Sequence, residues 1–152
     1  VVWVNAERQR SMAERVIDAC DGNVKDKKIA ILGVSFKPNT DDVRESPALV
    51  IIPLLQEAGA NIYAHDPIAM NEAKKHLDDV HWTQDAYEAA TDADILVIIT
   101  EWNEFRGLDI DRLGKIMKEK CIVDMRNIYK PKIMKQAGFR YISIGRPEVK
   151  SD

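Results

Sequence analysis

The chain has 152 residues, of which 45% are hydrophobic and 31% are charged, a composition typical of one globular domain with its own core. Its formal net charge is −3 with both signs mixed along the chain, so we expect neither nucleic acid nor an anionic membrane as a partner. The longest apolar run, LVIIPLL, is too short to span a bilayer, and we expect a cytoplasmic protein.

Residues 1–20, VVWVNAERQRSMAERVIDAC, have the pattern of a helix that precedes the first strand. This helix begins with Val1, Val2, Trp3 and Val4, an apolar start without a cap that is unfavourable in water. We therefore expect residues 1–22 to be the remnant of a connecting helix in a longer polypeptide, and residues 23–152 to form the domain itself.

The first strand is predicted at residues 27–36, KKIAILGVSF, because the segment is rich in Ile and Val. Ser46 and Pro47 then favour the start of a helix, as N-cap and first helical residue respectively. This helix is predicted to end at Gly59. Pro53 lies within it and is expected to kink the helix or shift its start.

The rest of the chain alternates between the two patterns. Further strands are predicted at 61–67, 80–83, 94–100, 121–127 and 141–145, and further helices at 69–79, 84–93, 109–120 and 130–138. This alternation predicts an α/β fold, a Rossmann-like doubly wound parallel six-stranded sheet with helices on both faces, preceded by the N-terminal helix. The expected strand order is 3-2-1-4-5-6.

In such a sheet, ligands bind beyond the carboxyl ends of the strands, where the strand order reverses. The loops expected there are GVSFKPNTDDVRE (33–45), TEWNEFRG (100–107) and MRNIY (125–129). They supply three cations, Lys37, Arg44 and Arg126, that could converge on one crevice. Cations beside aromatic side chains suit a phosphate joined to a planar base.

The possible aromatic walls of that crevice are Phe36, Trp102, Phe105 and Tyr129. For Trp102 and Phe105, however, packing is the more common role. The acids of the first loop could likewise neutralise its cations on a solvated surface, in which case the loop would bind nothing.

Several kinds of site find no support in the sequence. Only Gly33 is present where a G-x-G-x-x-G dinucleotide fingerprint requires three glycines. Asp66 stands near the position of a ribose-binding acid, but Pro67 follows it and favours a simple Asp-Pro turn. We expect no metal site, and Cys20 and Cys121 are interpreted as reduced structural thiols.

The run GVSFKPNTDDVRESPA, the later TEWNEF and VDMRN together resemble the UDP-glucose/GDP-mannose dehydrogenase family, in its C-terminal UDP-binding domain. The resemblance covers nearly the whole chain, and VN-x-x-x-Q (Val4, Asn5, Gln9) is similar to the end of the family's long central helix. TEWNEF is most similar to the members that use UDP-glucose.

The resemblance implies the C-terminal, UDP-binding part of an NAD-dependent enzyme that oxidises UDP-glucose to UDP-glucuronate. It implies that Phe36, Lys37 and Arg126 contact the UDP-sugar and that Arg44 contacts NAD. It also implies a homo-oligomer whose N-terminal NAD-binding and central helical domains are missing here.

The family's catalytic cysteine segment is absent from the sequence, so no catalytic residue is assigned and the chain by itself is expected to be inactive. Alternative substrates within the family are a UDP-N-acetyl sugar and GDP-mannose. A free-standing nucleotide-binding module and an interaction domain also remain open.

Overall fold

The computed structural model describes residues 2–144 and residue 148, with side chains described from residue 7 onward. The expectation about the apolar side chains of residues 1–4 therefore falls outside the described part. The strands are β1 (Lys28–Leu32), β2 (Asn61–His65), β3 (His81–Trp82), β4 (Ile95–Ile98), β5 (Cys121–Asp124) and β6 (Arg140–Ser143). The helices are α1 (Val2–Ala19), α2 (Ala48–Glu57), α3 (Met70–Ala73), α4 (Ala86–Ala90), α5 (Asn103–Arg106), α6 (Ile110–Ile116) and α7 (Pro131–Gln136).

The six strands form one sheet in the order β3-β2-β1-β4-β5-β6, and all neighbouring strands are parallel. Both the fold class and the strand order predicted from the sequence are confirmed. The reversal of strand order lies between β1 and β4, whose residues pair from Ile29 with Ile95 to Leu32 with Ile98. The loops that follow β1 and β4 therefore leave the sheet side by side.

Side chains alternate between the two faces of the sheet and fill a separate core on each face. On β1, Ile29 and Ile31 belong to the core beneath α1, α2 and α3. Ala30 and Leu32 belong to the core beneath α4, α5, α6 and α7. All four side chains are fully buried, as expected of a central parallel strand.

Helix α1 covers the half of one face that the connecting helices leave open. The helices after the reversal pack on the opposite face, whereas α1 packs against α2 and β5. Its Ala13 and Val16, followed by Cys20, are buried in the same core as α2. The inner face of α1 thus contributes side chains to this core.

Strand β1 ends four residues earlier than predicted. Gly33 turns the chain with a φ of +92°, and a carboxylate oxygen of Asp66 accepts the backbone N–H groups of Val34 and Ser35 at 2.9 and 3.2 Å. A strand cannot continue where its donors are bonded to a side chain, so residues 33–36 belong to the loop.

The helices begin close to where the sequence predicts them, but most are shorter. Ser46 and Pro47 precede α2, and the Ser46 hydroxyl accepts the N–H of Ala48 at 3.2 Å. Helix α2 is continuous through the exposed Pro53, and Gly59 follows its end with a φ of +100°. The loop after β4 contains the short helix α5, which the sequence pattern did not indicate.

Candidate functional site

A cavity of about 560 Å³ lies at the carboxyl edge of the sheet, between α1, the start of α2 and the loops after β1 and β5. We call it the carboxyl-edge cavity. This volume lies within the range of small-molecule sites in proteins. The lining residues come from four separate parts of the chain and are Arg8, Gln9, Met12, Phe36, Glu45, Ser46, Pro47, Leu49, Val50, Met125 and Arg126.

Two of the three residues predicted to contact the UDP-sugar, Phe36 and Arg126, line the carboxyl-edge cavity. Phe36 is 44% exposed, which is unusual for a large apolar side chain. Its backbone N–H donates to the carbonyl of Asp42 at 2.8 Å, which closes the loop on itself. An aromatic ring held in the open at the mouth of a cavity offers a surface for a planar group.

Arg126 is fixed at both ends. Its backbone N–H donates to the buried carboxylate of Asp124 at 3.0 Å. Its guanidinium forms an ion pair with Glu101, with Nε at 2.9 Å from one carboxylate oxygen. Glu101 belongs to the loop after β4, so this pair connects two of the three loops predicted at the site.

Asp124 organises the turn that carries Arg126. Its carboxylate accepts the N–H of Ile128 at 2.8 Å and of Tyr129 at 3.3 Å, and the hydroxyl of Tyr141 at 2.6 Å. A carboxylate at the end of a buried strand thus accepts several backbone N–H groups of residues 126–129. These hydrogen bonds fix the backbone from which the Arg126 side chain extends.

Lys37 and Arg44 do not line the carboxyl-edge cavity, so the predicted convergence of three cations is not observed. Arg44 is 85% exposed and pairs with Asp42, Nε to Oδ1, at 3.1 Å. Hydrogen bonds from Arg44 hold the pKa of the Asp42 carboxyl below its usual value. Asp42 therefore orders the loop by accepting from the backbone and side chain of Arg44.

Three of the four possible aromatic walls do not line the cavity, because Trp102, Phe105 and Tyr129 are buried in the core beneath α4–α7. The indole N–H of Trp102 donates to Asp66 at 3.2 Å. The Tyr129 hydroxyl donates to the carbonyl of Phe105, and burial raises its pKa. These side chains support the loops from below and leave Phe36 as the exposed ring.

Helix α1 supplies one wall of the cavity through Arg8, Gln9 and Met12, and sequence reasoning assigned no role to Arg8. Arg8 is exposed and forms no ion pair with the side chains that the structure describes, so its charge is free to meet an anion. The predicted topology could have indicated this role. In a doubly wound sheet, the helices after the reversal leave half of one face uncovered, and the N-terminal helix was the element left to cover it.

The residues after β1 do not form a cradle for NAD. A side chain on Gly33 would place its Cβ 2.4 Å from the Thr100 Cβ, so this glycine is required by packing against the end of β4. Asp66 is completely buried and has no oxygen left for a ribose hydroxyl. One oxygen accepts from Val34, Ser35 and Trp102, and the other accepts from Ile68 and Ala69.

The two cysteines lie far from the carboxyl-edge cavity. Cys20 and Cys121 are free thiols and line another cavity, of about 630 Å³, at the amino edge of the sheet. Burial raises the pKa of both, that of Cys121 to about 12, so neither thiol has the character of a nucleophile. Within the described residues, no three metal-binding side chains are grouped to hold an ion, and no helix is both long and apolar enough to cross a bilayer.

Comparison with known proteins identifies the family. The profile of the UDP binding domain of the UDP-glucose/GDP-mannose dehydrogenase family matches residues 30–131. The chain is 52% identical over 147 residues to UDP-glucose 6-dehydrogenase of Rhizobium meliloti, covering 97% of this chain and 34% of that protein. It is 39% identical over 151 residues to UDP-glucose 6-dehydrogenase TuaD of Bacillus subtilis, covering 99% of this chain and 32% of that protein.

The solved structures agree with this assignment. A UDP-glucose dehydrogenase from the archaeon Pyrobaculum islandicum superposes with a TM-score of 0.73 at 32% identity, covering 91% of this chain and 29% of that one. The chain thus spans about a third of the length of the relatives it matches. The resemblance drawn from GVSFKPNTDDVRESPA, TEWNEF and VDMRN is confirmed, and the chain belongs to the UDP-glucose/GDP-mannose dehydrogenase family.

Proposed function

We propose that this chain binds the UDP part of UDP-glucose at the carboxyl-edge cavity, within an NAD-dependent enzyme that oxidises UDP-glucose to UDP-glucuronate. The observation that carries the proposal is that Phe36 and Arg126, which come from loops on both sides of the reversal of strand order, line one cavity. An aromatic ring and a guanidinium in one cavity suit a base and a phosphate.

Arg8 adds a second cation to the same cavity. A diphosphate carries more charge than one arginine neutralises, and cations on opposite walls can bind its two phosphates separately. Lys37 is exposed in the same loop as Phe36, and we assign it to the ligand from the resemblance of that loop to the family. Glu45 also lines the cavity, and its negative charge favours a position of the diphosphate nearer to Arg8 and Arg126.

The identity of the sugar rests on the relatives. The proteins of Rhizobium meliloti and Bacillus subtilis are UDP-glucose 6-dehydrogenases. A UDP-N-acetyl-mannosamine dehydrogenase of Staphylococcus aureus superposes with a TM-score of 0.68 at 26% identity. The higher sequence identity to the first two supports UDP-glucose over an N-acetylated sugar or GDP-mannose.

In the full-length enzyme, NAD would be bound mainly by another domain, because residues 33–66 offer it no cradle. Arg44 is the residue of this chain that we assign to NAD, from the resemblance of its loop to the family; its side chain is exposed and paired with Asp42. We further propose that the enzyme is a cytoplasmic homo-oligomer. The free thiols of Cys20 and Cys121 are compatible with a reducing compartment.

The test is calorimetric titration of the chain with UDP, GDP, UDP-glucose and NAD. We expect UDP and UDP-glucose to bind with similar affinity, and GDP and NAD to bind more weakly. Arg126→Ala should weaken UDP binding about ten- to a hundredfold, since a hydrogen bond to a charged group contributes about 1.5–3 kcal/mol.

Arg106→Ala is the matched control, because Arg106 is an exposed arginine at the end of α5 that does not line the cavity. This variant should bind UDP as the wild type does. A wild-type chain that does not bind UDP, or an Arg126→Ala variant with unchanged affinity, would disprove the proposed site.

A further inference from the structure

We propose that Glu101 is a positioning residue that turns the guanidinium of Arg126 toward the carboxyl-edge cavity. This inference rests on the proposed function, because it concerns how the same site receives a diphosphate. It starts from the geometry of one ion pair that connects the loop after β4 with the turn after β5.

The pair between Glu101 and Arg126 is bidentate. Arg126 Nε lies 2.9 Å from Glu101 Oε2, and Arg126 Nη2 lies 3.3 Å from Glu101 Oε1. A guanidinium has five N–H donors and two edges that can each engage a pair of oxygens. Glu101 occupies the side edge, formed by Nε and Nη2, and no described residue bonds to the end edge, which leaves it for another anion.

The two partners of this ion pair differ in their position relative to the cavity. Among the described residues, Arg126 lines the carboxyl-edge cavity and Glu101 does not. The side chains are 35% and 27% exposed, so the pair is at the rim of the structure and still open to solvent. Glu101 therefore fixes the guanidinium by its side edge from outside the cavity lining, and the proposal assigns the end edge to the ligand.

An ordinary surface ion pair would predict a different outcome. Exposed ion pairs contribute little to stability, so loss of Glu101 should leave the fold intact under either interpretation. The two interpretations differ in the sign of the effect on binding. A carboxylate near a diphosphate repels it, so removing its charge would strengthen binding, whereas removing a positioning group weakens binding.

The experiment is calorimetric titration of the 152-residue chain with UDP, using the wild type, Glu101→Gln, Glu101→Asp, Arg126→Ala and the double variant Glu101→Gln/Arg126→Ala. Glu104→Gln is the matched control, because Glu104 belongs to the same loop but faces His65 at 3.2 Å. Thermal unfolding of each variant checks that the fold is retained.

We expect Glu101→Gln to weaken UDP binding about three- to tenfold with an unchanged melting temperature. Glu101→Asp should recover part of that loss, because it restores both the charge and the two acceptor oxygens. In the Arg126→Ala background, Glu101→Gln should cause no further weakening, since there is no guanidinium left to orient. Glu104→Gln should bind UDP as the wild type does.

If Glu101→Gln binds UDP as tightly as the wild type or more tightly, while Arg126→Ala is weakened, the positioning role is wrong and the proposed site stands. The role is also wrong if Glu101→Gln weakens binding equally with and without Arg126. If the wild type does not bind UDP, or if Arg126→Ala binds it unchanged, the proposed site and this inference both fail.

Discussion

Replacing Asp66 with asparagine should destabilise the fold strongly, although it changes only one atom. Asp66 is fully buried, and its two carboxylate oxygens together accept five N–H groups. Asparagine offers one acceptor oxygen and one amino group. Whichever oxygen the amino group replaces, at least two N–H groups that donated to that oxygen lose their acceptor.

The magnitude follows from this count. A hydrogen bond to a charged group contributes about 1.5–3 kcal/mol, so losing two of them should lower the free energy of unfolding by about 3–6 kcal/mol. Domains of this size are commonly stable by only about 5–15 kcal/mol. Urea unfolding followed by circular dichroism measures the loss, and Asp41→Asn is the control because Asp41 is an exposed acid of the neighbouring loop.

The result that would refute this reasoning is a loss below about 1 kcal/mol for Asp66→Asn, which is the size typical of an ordinary substitution. It would mean that the loop after β1 does not depend on the carboxylate for its shape.

Gly33→Ala should destabilise the chain in thermal unfolding, because the new Cβ would lie 2.4 Å from the Thr100 Cβ and the φ of +92° disfavours a side chain; an unchanged melting temperature would contradict this. Burial raises the pKa of Cys121 from 9.0 to about 12, so the folded state favours the neutral thiol. The stability that the buried thiol contributes is therefore present below pH 9 and is lost between pH 9 and 12. Unfolding free energies measured across that range should fall less steeply for Cys121→Ala. Arg44→Ala should leave UDP affinity of the chain unchanged but raise KM for NAD in the full-length enzyme, and an effect on UDP alone would contradict its assignment. The chain by itself should produce no NADH from UDP-glucose and NAD, as absorbance at the NADH band would reveal.

Much of the fold could be predicted because local patterns and chain topology agree. The fully buried strand β4 reads as a continuous apolar run, and Gly59 marks the end of α2. The end of β1 could not be predicted, because it is set by Asp66, which lies more than thirty residues further along the chain. When a distant side chain accepts the backbone N–H groups of a segment, the hydrophobic periodicity of that segment does not show it.

The candidate site was predicted in part for the same reason. Phe36 and Arg126 were found because the loops after parallel strands meet at one edge of the sheet. For Trp102 the sequence favoured packing over a place in the cavity wall but left both open, because an aromatic residue after a strand can face either the cavity or the core; here it is buried and donates to Asp66. Arg8 was missed because its place depends on how α1 packs, which the sequence of the helix does not determine.

The position of α1 has a consequence for exchange of amide hydrogens. Arg8 and Arg126 line the same cavity, although they are separated by most of the chain. A ligand that contacts both binds only molecules in which α1 is packed on the sheet, so it lowers the population in which the helix is detached. Bound UDP should therefore slow amide hydrogen exchange along α1 as well as in the loop after β1. Slower exchange in α1 would show that the site is occupied, although α1 lies on the other side of the cavity from Arg126.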